Sequence, residues 1–151
     1  MGRTKSVDRA VKMAPLTGYV GFVLRRAQWA IFTDFNDTLG EVDLRPGQFD
    51  VLVMIDQNPG TSQSHVSDAL GIQKANFVTT IADLERRGLI SRAKSPTDAR
   101  TYELCLTEAG TNLLKRAQEL HALHEERVCS GLGPAERLQL LNLLVKLNAR
   151  R

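Results

Sequence analysis

The stretch that most constrains the fold runs from Thr61 to Thr107. Its first part, "TSQSHVSDALGI", reads as a short helix, with Thr61 and Ser62 as N-cap candidates and Val66, Leu70 and Ile72 as core contacts. Gly71 ends it, and "QKANFVTTIADLERRGL" begins a second helix almost at once. In that second helix Phe77, Ile81 and Leu84 recur at i, i+4 and i+7 with Thr80 on the same side, while Gln73, Lys74, Val78 and Thr79 fall on the other face. Two helices joined through a Gly-containing turn form a helix-turn-helix pattern, whose second helix offers its N-terminal end to a DNA major groove. "LISRA" and "TYELCL" follow as short segments rich in strand formers, and the intervening "KSPTDAR" has the Ser-Pro and Asp chemistry of a turn. They predict a β-hairpin with Arg92, Lys94 and Arg100 at or near its tip, a wing whose arginine suits a narrow, electronegative minor groove. Arg100 follows Asp98 by two residues, so on an extended strand both side chains point the same way and the carboxylate can orient the guanidinium.

The flanking segments are helical and unusually apolar. In "LTGYVGFVLRRAQWAIFTDFNDTL" one stripe holds Val20, Leu24, Ala27, Ile31 and Phe35, and a second holds Phe22, Trp29 and Phe32. Thr107 caps another helix marked by Leu113, Leu114, Ala117, Leu120 and Val128. "GLGP" breaks it, and Pro134 starts a last helix where Leu138, Leu141, Leu144 and Val145 form a stripe that Leu140, Leu143 and Leu147 widen. Such width needs burial on more than one side, which a two-fold homodimer supplies. The predicted class is therefore mainly α with a small β-wing. One domain, 1–151, comprises a winged helix-turn-helix lobe at 46–106 and dimerisation helices at 16–38 and 107–151.

Composition excludes several alternatives. At 151 residues and 42% apolar content the chain is long enough for one ordinary core. A net charge of +3 is too small to indicate nucleic acid by itself, so that reading depends on where the charges lie. No run of about 18 apolar residues is present, and the N-terminal "MGRTKSVDRAVKMAPLTG" has no apolar signal region, which points to a cytoplasmic protein without membrane association. Cys105 and Cys129 lack the paired spacing of a metal site and suit a reducing compartment. His65, His121 and His124 are the only histidines; the last two sit three apart, with Glu125 four after His121, so partial metal ligation is geometrically conceivable, but a solvated helix face is the expectation. No Gly-rich phosphate loop is present and neither Cys has an adjacent base. We therefore expect no catalysis, no cofactor and no metal.

In order, "LRPGQFDVLVMI", "NPGTSQSHVSDALGI", "LERRGLISR", the wing "DAR" and "LCLTEAG" resemble the MarR family of bacterial winged-helix regulators over nearly the whole chain, from about Leu16 onward. The resemblance implies an obligate dimer joined by its N- and C-terminal helices, with one winged helix-turn-helix per subunit on a pseudo-palindromic operator, usually as a repressor. By position, Gln73, Lys74, Ala75, Val78 and Thr79 match its groove-facing residues, and Asp98 and Arg100 match its wing acid and wing arginine. Thr79 stands where many relatives carry Arg, which leaves fewer long side chains for base readout. Relatives often release DNA on binding a small aromatic acid between the dimerisation helices and the DNA-binding lobe. For that effector, an aromatic carboxylate or its coenzyme A thioester, the candidates are Trp29, Phe32 and Phe35 with Arg25, Arg26 and Arg116 as partners for an anionic group. The recognition helix is similar to those of regulators of aromatic-acid breakdown, including responders to hydroxycinnamoyl thioesters. Two alternatives stay open: a thiol-based redox sensor of the same fold, for which the chain lacks the cysteine near the start of the first long helix, and a winged-helix module that binds protein in place of DNA.

Overall fold

The computed structural model describes residues 13–96 and 101–149. After a 3-10 turn at Leu16–Gly18, helix α1 spans Val20–Leu39 and passes through a second 3-10 turn, Gly40–Val42, into α2 at Pro46–Gln57. Strand β1 (Thr61–Ser62), α3 (Gln63–Leu70) and α4 (Lys74–Arg86) follow, then β2 (Ile90–Lys94), β3 (Tyr102–Leu106), α5 (Glu108–Val128) and α6 (Pro134–Asn148). No described helix is long and apolar enough to cross a membrane.

Local chemistry places most boundaries. Pro46 occupies the first turn of α2, and the Gln48 side chain accepts the Arg45 N–H at 3.0 Å. The Ser62 hydroxyl caps α3 by accepting the His65 N–H, and Gly71 leaves that helix at φ +64°, a conformation that favours glycine. Thr61 is not a cap: it pairs with Leu104 in a third strand, giving the antiparallel order β1-β3-β2. A two-residue strand has no periodicity for the sequence to display. The predicted hairpin is present, its ladder running from Ile90 opposite Leu106 to Lys94 opposite Tyr102.

One core joins these elements. Val51, Leu52 and Ile55 of α2, Val66 of α3, Phe77, Ile81 and Leu84 of α4, Leu104 of β3, and Leu114, Ala117 and Leu120 of α5 are all buried. The stripe expected along α1 divides: only Phe35 and Leu39 are buried, whereas Val20, Leu24 and Ile31 stay exposed because α1 meets the core only near its C-terminal end. No residue of α6 is buried.

The wing is joined to α5 at one tight junction. Thr107 accepts the Gly110 N–H at 3.0 Å and donates its hydroxyl to the Gly88 carbonyl at 2.6 Å. A Cβ on Gly110 would lie 1.9 Å from the Leu89 carbonyl oxygen, so only glycine lets the first turn of α5 approach the start of β2. Gly110→Ala is expected to lower stability by about 1 to 3 kcal/mol, read as a reduced urea midpoint; an unchanged midpoint would refute the close approach.

Candidate nucleic-acid interface and effector region

The two faces of α4 carry different chemistry. Phe77, Ile81 and Leu84 anchor it in the core, and on the opposite side Lys74, Ala75, Val78 and Thr79 are exposed with Gln73 at the N-cap. Val78 is 60% exposed, a large apolar side chain held in water beside a lysine and a threonine. These are residue types whose side chains can meet base edges and thymine methyl groups.

A polar network sets the angle of this helix. Gln48, buried in α2, donates to Asp83 Oδ2 at 2.8 Å, and Asp83 also pairs with Arg86 and Arg87. The Arg86 hydrogen bond, followed by the charges of both arginines, holds the Asp83 carboxyl below its ordinary pKa. Arg87 donates to the Asp43 carbonyl at 2.9 Å, tying the C-terminal end of α4 to the turn where Asp43 adopts φ +50°. These groups, with Arg45, Thr79 and Thr80, line an open polar cleft beside the recognition face. Sequence reasoning missed Arg45 and Arg86 as cations flanking that face, because their proximity depends on how α2 and α4 pack.

Arg92 and Lys94 lie on β2, Lys94 in the last pair of the hairpin opposite Tyr102, next to the tip. Arg92 is 3.6 Å from Glu85 and its guanidinium stands 5.0 Å above the Tyr102 ring, so it braces the hairpin against α4. Asp98 and Arg100 lie outside the described residues.

The expected effector residues do not converge within one chain. Arg25, Arg26, Trp29 and Phe32 are exposed on α1, Trp29 at 76%. Phe35 is a core residue instead: six positions after Trp29 it is rotated about 240° around the helix and packs edge-on against Phe49 and His124 at 6.0 and 5.5 Å. Arg116 is engaged elsewhere, with Glu41 at 2.8 Å and Glu119 at 3.1 Å.

Behind Phe35 lies a cluster that the sequence did not disclose. His124, expected on a solvated face, is 2% exposed, and His121, half-buried, stacks on Phe49 with centroids 4.6 Å apart. Their burial follows from the turn of α5 that faces Phe35 and Phe49. Asp34 of α1 accepts from Arg127 Nε at 3.0 Å and sits 2.7 Å from His124 Nδ1. Burial pushes the His121 imidazole below its ordinary pKa and raises that of nearby Asp50.

With this geometry in place, the comparisons are decisive. The chain is 36% identical over 133 residues to a proposed transcriptional regulatory protein for the hcr operon of Thauera aromatica, covering 87% of this chain and 80% of the relative. Residues 42–101 match the MarR family. The chain belongs to the MarR family. Its fold superimposes on the transcriptional repressor CouR bound to a 23-mer DNA duplex with TM-score 0.88 and 41% identity, covering 91% of this chain and 98% of that one. CouR bound to p-coumaroyl-CoA matches with TM-score 0.86 and 39% identity over 93% of this chain and 99% of that one. The residues matched to the family take in α2, α3, α4 and β2.

Asp34 supplies a pH test of the α1–α5 contact. The Arg127 hydrogen bond, then that of His124, holds its carboxyl well below the usual range. A depressed folded-state pKa stabilises the fold fully above the unfolded value, about 4, and that contribution is lost as pH falls below it. Asp34→Asn is therefore expected to be less stable than the parent at neutral pH, with the gap narrowing on acidification; a pH-independent gap would remove Asp34 from this role.

Proposed function

We propose that this MarR protein is a homodimeric repressor that binds a pseudo-palindromic operator and is released by an aromatic carboxylate or its coenzyme A thioester. The observation that carries the reading is the exposed face of α4, where Gln73, Lys74, Ala75, Val78 and Thr79 stand free opposite a fully anchored apolar face. In this reading they contact bases, Arg92 and Lys94 lie along the duplex, and Asp98 orients Arg100 for the minor groove. The dimer is formed by 16–38 and 107–151. Support comes from the apolar groove lined by Tyr19, Val20, Val23 and Leu24 together with Leu140 and Leu144, surface that one chain leaves in water.

The effector class follows from the relatives that bind DNA and p-coumaroyl-CoA on the same fold. Arg25, Arg26, Trp29 and Phe32, exposed in one chain, become ligand contacts when the second subunit closes the cleft, whereas Phe35 is committed to the core and Arg116 to Glu41 and Glu119. The protein acts in the cytoplasm, where its operator is, and performs no catalysis.

Fluorescence anisotropy with a labelled fragment of the protein's own promoter region tests the reading. Lys74→Ala is expected to weaken specific binding by about 1 to 3 kcal/mol with an unchanged melting temperature; equal affinity for parent and variant would remove α4 from base contact. Arg100→Ala is expected to weaken binding and flatten the dependence of log K on log salt, since each subunit loses a cation near the phosphates. An unchanged slope would make the wing a plain solvated hairpin. Adding p-coumaroyl-CoA or p-coumarate is expected to dissociate the parent complex; DNA binding that persists through a panel of aromatic acids and thioesters would overturn the effector assignment.

A further inference from the structure

His121, His124 and Glu125 occupy positions i, i+3 and i+4 of α5, so their side chains rise from one face of the helix. Each offers a ligand atom, and these atoms lie within 4.8 Å of one another. All three have donor capacity to spare. His124 commits Nδ1 to Asp34 and leaves Nε2 without a partner among the described residues. His121 makes ring contacts with Phe35, Phe49 and His124 but no hydrogen bond among those residues. Glu125 uses Oε2 for Arg137 and leaves Oε1.

From this we infer that His121, His124 and Glu125 form a binding site for a divalent transition metal of zinc-like softness, an assignment that goes beyond the effector reading and does not depend on it. Two imidazoles and a carboxylate are a donor set that zinc accepts, and three protein ligands leave its fourth position open. The surroundings already have the outer-shell form such sites use. An ionised carboxylate on His124 Nδ1 selects the tautomer with Nε2 as the lone-pair donor, and Arg127 keeps that carboxylate in place. Stacking on Phe49 fixes the plane of His121. Metal–ligand distances of about 2.0 to 2.2 Å require the three atoms, now within 4.8 Å of one another, to draw together by side-chain motion. Because Asp34 belongs to α1 and Arg137 to α6, an occupied site would stiffen the joints between α5 and both helices.

The test uses the full-length protein, stripped with EDTA and dialysed, then titrated with zinc chloride by calorimetry, with cobalt(II) absorption as a report of coordination geometry. The expected result is one zinc per chain and a higher melting temperature, with His121→Ala and Glu125→Gln each weakening zinc by at least about tenfold while keeping the parent's helical circular dichroism. The conservative Glu125→Gln retains shape and the Arg137 contact, so the result does not hinge on His121→Ala folding. Three outcomes overturn the assignment: no heat and no melting shift with zinc in the folded parent; zinc binding that both variants retain undiminished; or no zinc binding in a parent whose response to aromatic acids is altered by His121→Ala, which gives these nitrogens to the organic effector.

Discussion

One carboxylate, Asp34, together with the packing of Phe35 beside it, joins α1 to α5. It receives Arg127 through two oxygens and touches His124, so a charge at the edge of the core is matched by a cation and an imidazole from one helix. Arg127 is half-exposed in this pair, so solvent screens its charge and the pair contributes direction more than energy. Beside it Phe35 packs on Phe49 and the two histidines, and through Phe49 the contact reaches α2. Polar pairing fixes direction and aromatic packing supplies burial.

From α2 the constraint passes to α4 by a second polar chain. Gln48 joins α2 to Asp83 of α4, and Arg87 returns from the end of α4 to the carbonyls of Asp43 and Val42 in the turn after α1. The C-terminal end of α1 is therefore linked at both of its neighbours, α5 on one side and α4 on the other. A ligand that shifts α1 against α5 has a physical route to the angle of α4, since these are directed hydrogen bonds between rigid elements. Regulation in such a molecule needs no unfolding, only a changed preference between two arrangements of the same helices.

The same layout explains how unevenly the sequence disclosed the site. Lys74, Val78 and Thr79 were legible because a helix of known period with Phe77 and Ile81 inward leaves those residues outward. The effector residues were not. Trp29 and Phe35 share α1 and both are aromatic, yet one is exposed and the other buried, because which arc of a helix meets a neighbour depends on partners distant in sequence. His121 and His124 give the reverse case: read as solvated by their spacing alone, they are drawn inward by Phe35 and Phe49. Arg116, a candidate for an anionic ligand by charge, found carboxylates in Glu41 and Glu119.

Helix and strand order, the capped starts at Ser62 and Thr107, the Gly71 turn and the inward face of α4 were determined by the sequence itself, because each depends on neighbours within about four residues or on a regular period. Tertiary structure alone decided three things: the two-residue strand β1, the Gln48–Asp83–Arg87 network, and the burial of His124 against Asp34. Each joins groups 35 to 90 positions apart or a segment too short to show a pattern. Their energies depend on distance and desolvation, which come into being only when the helices pack.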